Sequence, residues 1–279
     1  MRLLYFILSH SIFIAICAVA LCFQTALLLH INLPVYLFAF IFFSTLCSYN
    51  FYWLLSGYAF AGHSLTQIFK KYYTNVIVLV LAGAGLLFSV AKIPQLLPVI
   101  IIGLILTLLY AMPLLPFKIF HLARKAGLVK TFLLAFTWTF VTVYIPYYFA
   151  PSVPFSTLLI LFINRFLFML MLCIIFDARD TNIDKIRGLQ SLTTILKPTT
   201  VKYIMIAIFA AYIINGIILR VYYNEPEQIV ALLLTGLIAA IVYFFSQKKQ
   251  GYFFYYFLVD GLMLFSALAT YVASIAPIP

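Results

Sequence analysis

LLILFINRFLFMLMLCIIFDARDTNIDKIRG, residues 158–188, runs from a long apolar stretch into a segment that puts Asp177, Asp180 and Asp184 within eight positions. The whole chain has only six acidic residues, so half of its negative charge sits here. The apolar part is long enough to cross a bilayer as a helix, which takes about 20 residues. If the helix continues beyond the membrane edge, offsets of three and seven residues bring the three carboxylates within about 60° of one another on one face. Like charges at that spacing repel, and carboxylates at a helix C-terminus also oppose its dipole. Something cationic must compensate them.

The rest of the 279-residue chain has the same greasy character, with 66% hydrophobic and 8% charged residues. A soluble domain carries about 45–50% and about 25% respectively, so this is a membrane protein. Apolar segments recur at roughly 3–29, 34–60, 73–91, 95–115, 129–150, 154–176, 200–220, 228–246 and 252–275. Each is near the length a helix needs to cross hydrocarbon, and all are too long and too evenly apolar for barrel strands. Backbone in lipid must satisfy its own hydrogen bonds, so the expectation is an all-α polytopic bundle of nine transmembrane helices, forming one domain over residues 1–279. Arg2 followed by an apolar run containing Ala18-Val19-Ala20 imitates a secretory signal, but the run continues to Leu29 and reads better as a span. Cys17, Cys22, Cys47 and Cys173 all lie inside apolar runs without metal-site or disulfide spacing, and read as packing residues.

Basic residues alternate between the connections. Lys70, Lys71, Lys118, Arg124, Lys125, Lys130, Arg179, Lys185, Arg187, Lys197, Lys202, Lys248 and Lys249 follow the even-numbered segments, while the opposite side holds only Lys92 and Arg220. With Arg2 at the start, the positive-inside rule puts the N-terminus and the long loops in the cytoplasm and the C-terminus outside. The net charge of +11 is then mostly a cytoplasmic collar that attracts anionic headgroups of membrane lipids. No soluble basic module is present, which argues against nucleic acid as a partner.

The acidic segment has two readings. Arg179, Lys185 and Arg187 can neutralise it as a surface ion-pair network, a common and individually weak arrangement. Alternatively, Asp177, Asp180 and Asp184 form an oxygen-rich Mg²⁺ site, since that ion is held by one or two carboxylates together with substrate phosphates. Carboxylates at the membrane surface would then reach a diphosphate headgroup through metal while its lipid tail lies among the helices.

Asp177, Asp180, Asp184 and Gly188, with the following Leu189-Gln190-Ser191-Leu192-Thr193, resemble the second aspartate-rich segment of the UbiA superfamily of intramembrane prenyltransferases. The resemblance implies nine helices, two cytoplasmic aspartate-rich segments that hold Mg²⁺ and a polyprenyl diphosphate, and transfer of the prenyl group to an aromatic or other acceptor. Asp180 and Asp184 would hold Mg²⁺ with help from Asp177, and these are the candidate catalytic residues. Tyr110, Pro113 and Lys118 reproduce the family's spacing in the loop after the fourth helix, where Lys118 would contact the diphosphate. Arg124, Lys125 and Lys130 are able to neutralise phosphate as well as to set topology, and spacing alone does not separate the two; Arg124, Arg179 and Arg187 are further candidate phosphate contacts, because guanidinium groups bind phosphate in a bidentate fork. The resemblance also implies a bacterial inner membrane as the setting.

The family's first aspartate-rich segment has no equivalent here. Its best placement is SYNFYWLLSGY, residues 48–58, where Asn50 matches but Phe51, Leu54 and Tyr58 stand in place of the aspartates. Ionisation of an allylic diphosphate needs its departing charge stabilised, and metal clamps supply much of that. With one carboxylate bank absent, the site either uses Arg and Lys for part of that work or binds without reacting, as a noncatalytic lipid- or partner-binding relative. Asn50 is the candidate contributor from this degenerate segment, although an asparagine in a membrane helix also serves to hydrogen-bond across helices.

Arg165 and Asp260 lie at comparable depths in the sixth and ninth segments. A charge near the bilayer centre costs about 2.5–3.5 kcal/mol on insertion scales, so the expectation is that they form a structural intramembrane pair. A transporter using them as a relay is the third function class. His10, Gln24 and Asn164 are expected in the same interhelical hydrogen-bond set. His63 and His121 lack a second ligand at metal spacing.

Overall fold

The computed structural model describes residues 2–61, 72–111, 127–187, 189–222 and 226–275. Among the described residues there is no strand, and nine helices are long and apolar enough to cross a membrane. In chain order, spans one to nine are Ile12–Leu29, Val35–Ser56, Tyr73–Lys92, Pro94–Ala111, Val129–Tyr147, Phe155–Ile186, Pro198–Val221, Pro226–Ser246 and Phe254–Ile275. The expectation of nine helices stands. Most consecutive spans pack side by side, and span nine closes against span one.

Spans one and six are the most enclosed. Phe168, Met171, Ile174 and Ile175 of span six are buried at the centre of the main apolar cluster, to which eight of the nine spans contribute. Lipid tails are as apolar as these side chains, so close packing rather than the hydrophobic effect holds such helices together, and small residues let backbones approach. Gly85 of span three lies under the Phe43 ring of span two, where an added Cβ would come within 2.6 Å of ring carbons. Gly236 of span eight lies under Tyr212 of span seven, whose hydroxyl donates to the Leu232 carbonyl at 2.8 Å.

Two departures from regular helix shape the bundle. The apolar run 3–29, read from sequence as one segment, is broken into Arg2–Ser9 and Ile12–Leu29. Ser11 adopts left-handed backbone (φ 63°). The break is held from outside: the His10 carbonyl accepts from Asn50 Nδ2 at 3.1 Å, and His10 Nε2 lies 3.1 Å from the Thr74 hydroxyl. In span five, Pro146 has no N–H to give to the Thr142 carbonyl one turn earlier, and the helix widens to a π turn over Phe140–Tyr144. Thr25 of span one supplies the missing donor, its hydroxyl lying 2.7 Å from the Thr142 carbonyl. Backbone inside a bilayer is re-satisfied by neighbouring side chains in this way.

Candidate functional site

Span six does not stop at the end of its apolar run. The helix is continuous over Phe155–Arg187, so Asp177, Asp180 and Asp184 share one face as expected. Each carboxylate has a partner from the chain itself. The Thr131 hydroxyl of span five donates to Asp177 Oδ2. Arg179 forks onto Asp180, with Nε 2.7 Å from Oδ1 and Nη2 2.7 Å from Oδ2. Lys130 Nζ is 3.9 Å from Oδ2 of the buried Asp184 and sits in the field of all three carboxylates. Among the described residues the compensating cations are Arg179, one of the three basic residues expected to neutralise the segment, and Lys130 from the neighbouring span, while Lys185 is exposed.

The polypeptide after the acidic face locks back onto it. Leu189 N donates to the Asp184 carbonyl at 2.9 Å, and the Thr193 and Thr181 hydroxyls donate to the Asp177 carbonyl at 2.8 and 2.9 Å. Ser191, wholly buried, caps the short helix Leu192–Ile195. Carbonyls that a helix end leaves open are thus closed by the residues that follow it.

Arg179 also ties span six to span nine. Its guanidinium lies 4.8 Å from the Phe176 ring centre, 5.3 Å from Tyr255 and 4.9 Å from Tyr256, a cation–π box around a planar cation. Tyr255 and Tyr256 project from a π segment over Phe254–Val259. Tyr252 stacks on Tyr256 at 4.2 Å, and burial, then the neighbouring Tyr256, pushes its phenol up to about 12. It is a neutral hydroxyl at physiological pH.

Of the other candidates, Tyr110 stacks on Tyr52 at 5.5 Å with ring planes 22° apart, within the field of Asp177. Asn50 is different. It is wholly buried, its Nδ2 donates to the His10 and Leu46 carbonyls at 3.1 and 2.9 Å, and its Oδ1 accepts from Asn75 at 3.1 Å. Asn50 fastens span two to the break before span one and to span three, so its amide is engaged in helix packing. Lys118, Arg124 and Gly188 lie outside the described residues, as does the side chain of Arg187. In sequence Lys130 is one of three basic residues, with Arg124 and Lys125, that suit either phosphate or topology, and Thr131 carries no signal; nothing in their spacing distinguishes them, because their place beside the aspartates comes from span five lying against span six.

The bundle superposes on the apo structure of a UbiA homolog from Aeropyrum pernix K1 with a TM-score of 0.58 and 14% sequence identity, over 96% of this chain and 98% of that one. The chain has the UbiA fold. At that identity the likeness concerns architecture, and activity has to be argued from the site. No family model and no curated protein matches the sequence.

The metal that the UbiA resemblance implies is Mg²⁺. Among the described residues no group of three His, Cys, Asp or Glu side chains stands ready to hold an ion; Asp177 is engaged by Thr131, Asp180 by Arg179 and Asp184 by Lys130. The donor set nonetheless suits Mg²⁺: hard carboxylate oxygens at a membrane edge, of which one or two suffice when phosphates complete the shell.

Deeper in the UbiA fold, one expectation is overturned. Arg165 and Asp260 do not pair. Arg165 Nη2 donates to Gln24 Oε1 at 2.6 Å, and Gln24 Nε2 donates to the Ser266 carbonyl, the Ser266 hydroxyl and the Thr270 hydroxyl at 3.0, 2.9 and 2.8 Å. Ser266 and Thr270 lie six and ten residues beyond Asp260. That is about 9–15 Å along span nine, so Arg165 is at the wrong depth for the aspartate. Asp260 lies instead in the field of Arg179. Gln24 and Arg165 do share a hydrogen-bond set, but His10 belongs to the separate one around Asn50.

Between spans five and six, beside Lys130 and Thr131, an open groove of ≈ 390 Å³ is lined by Val129, Phe132, Leu133, Phe136 and Phe166. Its walls are apolar.

Proposed function

We propose that the protein is a UbiA-like intramembrane prenyltransferase homologue that binds a polyprenyl diphosphate at the acidic face of span six and transfers its prenyl group to an acceptor. The observation that carries this reading is the convergence of Asp177, Asp180 and Asp184 with Lys130 at the end of a central helix in a UbiA fold. Isolated carboxylate clusters repel a diphosphate; a cluster already interleaved with Lys130 and Arg179 can exchange its internal ion pairs for contacts to phosphate oxygens. Asp177, Asp180 and Asp184 would hold Mg²⁺, which when bound neutralises the charge on a departing diphosphate. Lys130 and Arg179 would then face phosphate, and the rings of Tyr52, Tyr110, Phe176 and Tyr256 would exclude water and face the developing carbocation. In the transfer, the C–O bond to diphosphate breaks with its electron pair leaving on oxygen, the acceptor bonds to the prenyl carbon, and the acceptor loses a proton.

A second reading, binding without turnover, is favoured by one specific observation: Phe51 and Leu54 stand where a second carboxylate bank belongs, and Asn50 beside them is taken up in helix packing. In either case the protein is an integral membrane protein; the first reading takes a lipid diphosphate as ligand and the second a lipid or a protein partner, and a bacterial inner membrane with a cytoplasmic N-terminus is part of this proposal.

The test is purified protein in nanodiscs with labelled farnesyl diphosphate and Mg²⁺, followed for binding and for pyrophosphate release. Binding that falls tenfold or more in Asp184→Ala, with release of pyrophosphate, supports the transferase. The same binding without release supports the second reading. No binding in the unsubstituted protein contradicts both.

A further inference from the structure

Lys185 is the cation that the acidic face leaves over. Its place next to Asp184 makes it one of the residues expected to neutralise the aspartates, but it is exposed, and among the described residues it has no ion pair. It borders instead an open groove of ≈ 360 Å³ whose other walls are Leu189, Gln190, Thr194 and Ile195. Three pieces of chain meet there: the end of the span-six helix, the link after it and the short helix Leu192–Ile195. The link is fixed in place, because Leu189 N is bonded to the Asp184 carbonyl, and the Thr194 hydroxyl accepts from Ser191 N at 2.7 Å and donates to Ser191 O at 2.9 Å. With Thr194 occupied in that cap, the polar groups left to serve the groove are the Lys185 ammonium and the amide of the exposed Gln190. Both offer N–H donors, and no carboxylate among the described residues lines the groove. Its chemistry is that of an anion site with apolar walls.

The surroundings restrict the anion. On the same helix Ile183 and Ile186 are turned about 120° away from the three aspartates. Ile186, 86% exposed, is the most exposed large apolar side chain among the described residues, and Ile195, on the groove itself, is exposed too. Apolar side chains gathered outside a packed core mark a surface that is covered, and among lysines the cover that fits is the boundary between lipid headgroups and acyl chains. The level along the bundle agrees. Phe168 of span six meets Tyr212 of span seven with ring centres 6.4 Å apart. Counting equally from that contact toward the turn reaches Ile183 on one helix and Lys197 on the other, just before span seven begins at Pro198. Lys185 and Ile186 follow within one more turn, about 5 Å. That is the depth of a headgroup layer, about 5–7 Å on each side of the hydrocarbon. Lys197 and Lys202, both exposed, continue a basic rim of the kind that attracts anionic lipid.

We propose that the groove between Lys185 and Ile195 is a binding site for the headgroup of an anionic phospholipid of the surrounding bilayer, with the phosphodiester against Lys185 and Gln190 and the acyl chains beside Ile183 and Ile186. A phosphodiester carries a single negative charge, which one lysine matches. This site lies outside the acidic face and does not rest on the diphosphate reading.

The test uses the full chain in detergent, without Mg²⁺ or farnesyl diphosphate, and counts bound lipid by native mass spectrometry during titration with dioleoyl phosphatidylglycerol or dioleoyl phosphatidylcholine. Phosphatidylglycerol should bind at least tenfold more tightly than phosphatidylcholine. That affinity should fall at least fivefold in Lys185→Ala/Gln190→Ala and stay unchanged in Lys248→Ala/Lys249→Ala, which removes exposed lysines from the connection after span eight. Lys185 and Gln190 are exposed, so the first double variant is expected to fold, and its thermal midpoint is compared with that of the second. Equal affinity for the two lipids overturns the proposal, as does an unchanged affinity in the first variant. An equal loss in both variants also overturns it and leaves only the general attraction of the basic residues. So does displacement of the lipid by glycerol phosphate at matching concentration, because the groove would then read free phosphate and not a membrane lipid. With neither metal nor diphosphate present, any of these failures leaves the diphosphate reading to its own test.

Discussion

At the scale of single residues, the charges of this protein sort by depth along the helices. Arg165 finds a neutral partner, Gln24, because the carboxylate in span nine lies six or more residues away from the level of Ser266 and Thr270. Gln24→Leu should therefore lower the thermal unfolding midpoint, with a cost of about 1–3 kcal/mol for the guanidinium left without its acceptor. Asp260→Asn should leave the midpoint nearly unchanged, since no ion pair is lost; a drop matching the roughly 3–5 kcal/mol of a broken buried pair would revive the Arg165–Asp260 pairing. The sequence made both charges conspicuous. It could not show their partners, because a helical register of one or two turns between spans is set by packing and leaves no mark in spacing.

At the scale of elements, the nine spans were legible because a bilayer imposes length and apolarity on every crossing. The continuation of span six through Asp177, Asp180 and Asp184 was legible too, from the i, i+3, i+7 spacing. The break at His10–Ser11 was not, because the apolar run passes through it and the residues that hold it, Asn50 and Thr74, come from other spans. The patch at Pro146 was half legible: the proline announces a missing donor, but only the fold reveals Thr25 as the replacement. Thr25→Val, nearly the same size, should cost about 1 kcal/mol, measured by equilibrium unfolding in detergent. Gly236→Val should do more damage than Thr25→Val, because a Cβ there collides with the Tyr212 ring and frees its hydroxyl from Leu232; equal stability for the glycine variant would contradict that packing.

For the molecule as a whole, the fold and the function stand at different distances from the sequence. A retained acidic segment on span six was enough to suggest the architecture, and the bundle bears it out. The site was only partly readable: the aspartates were plain, whereas Lys130 and Thr131 enter it through contact between spans five and six. The central claim is that this acidic face grips a lipid diphosphate through a divalent cation. Mn²⁺, which favours the same oxygen donors as Mg²⁺, makes it directly measurable through paramagnetic broadening of the ³¹P lines of farnesyl diphosphate bound to the protein in nanodiscs. The account predicts strong broadening with the unsubstituted chain and its loss in the Asp177→Ala/Asp184→Ala double variant. Broadening that survives in the double variant, or none with the unsubstituted chain, would contradict it.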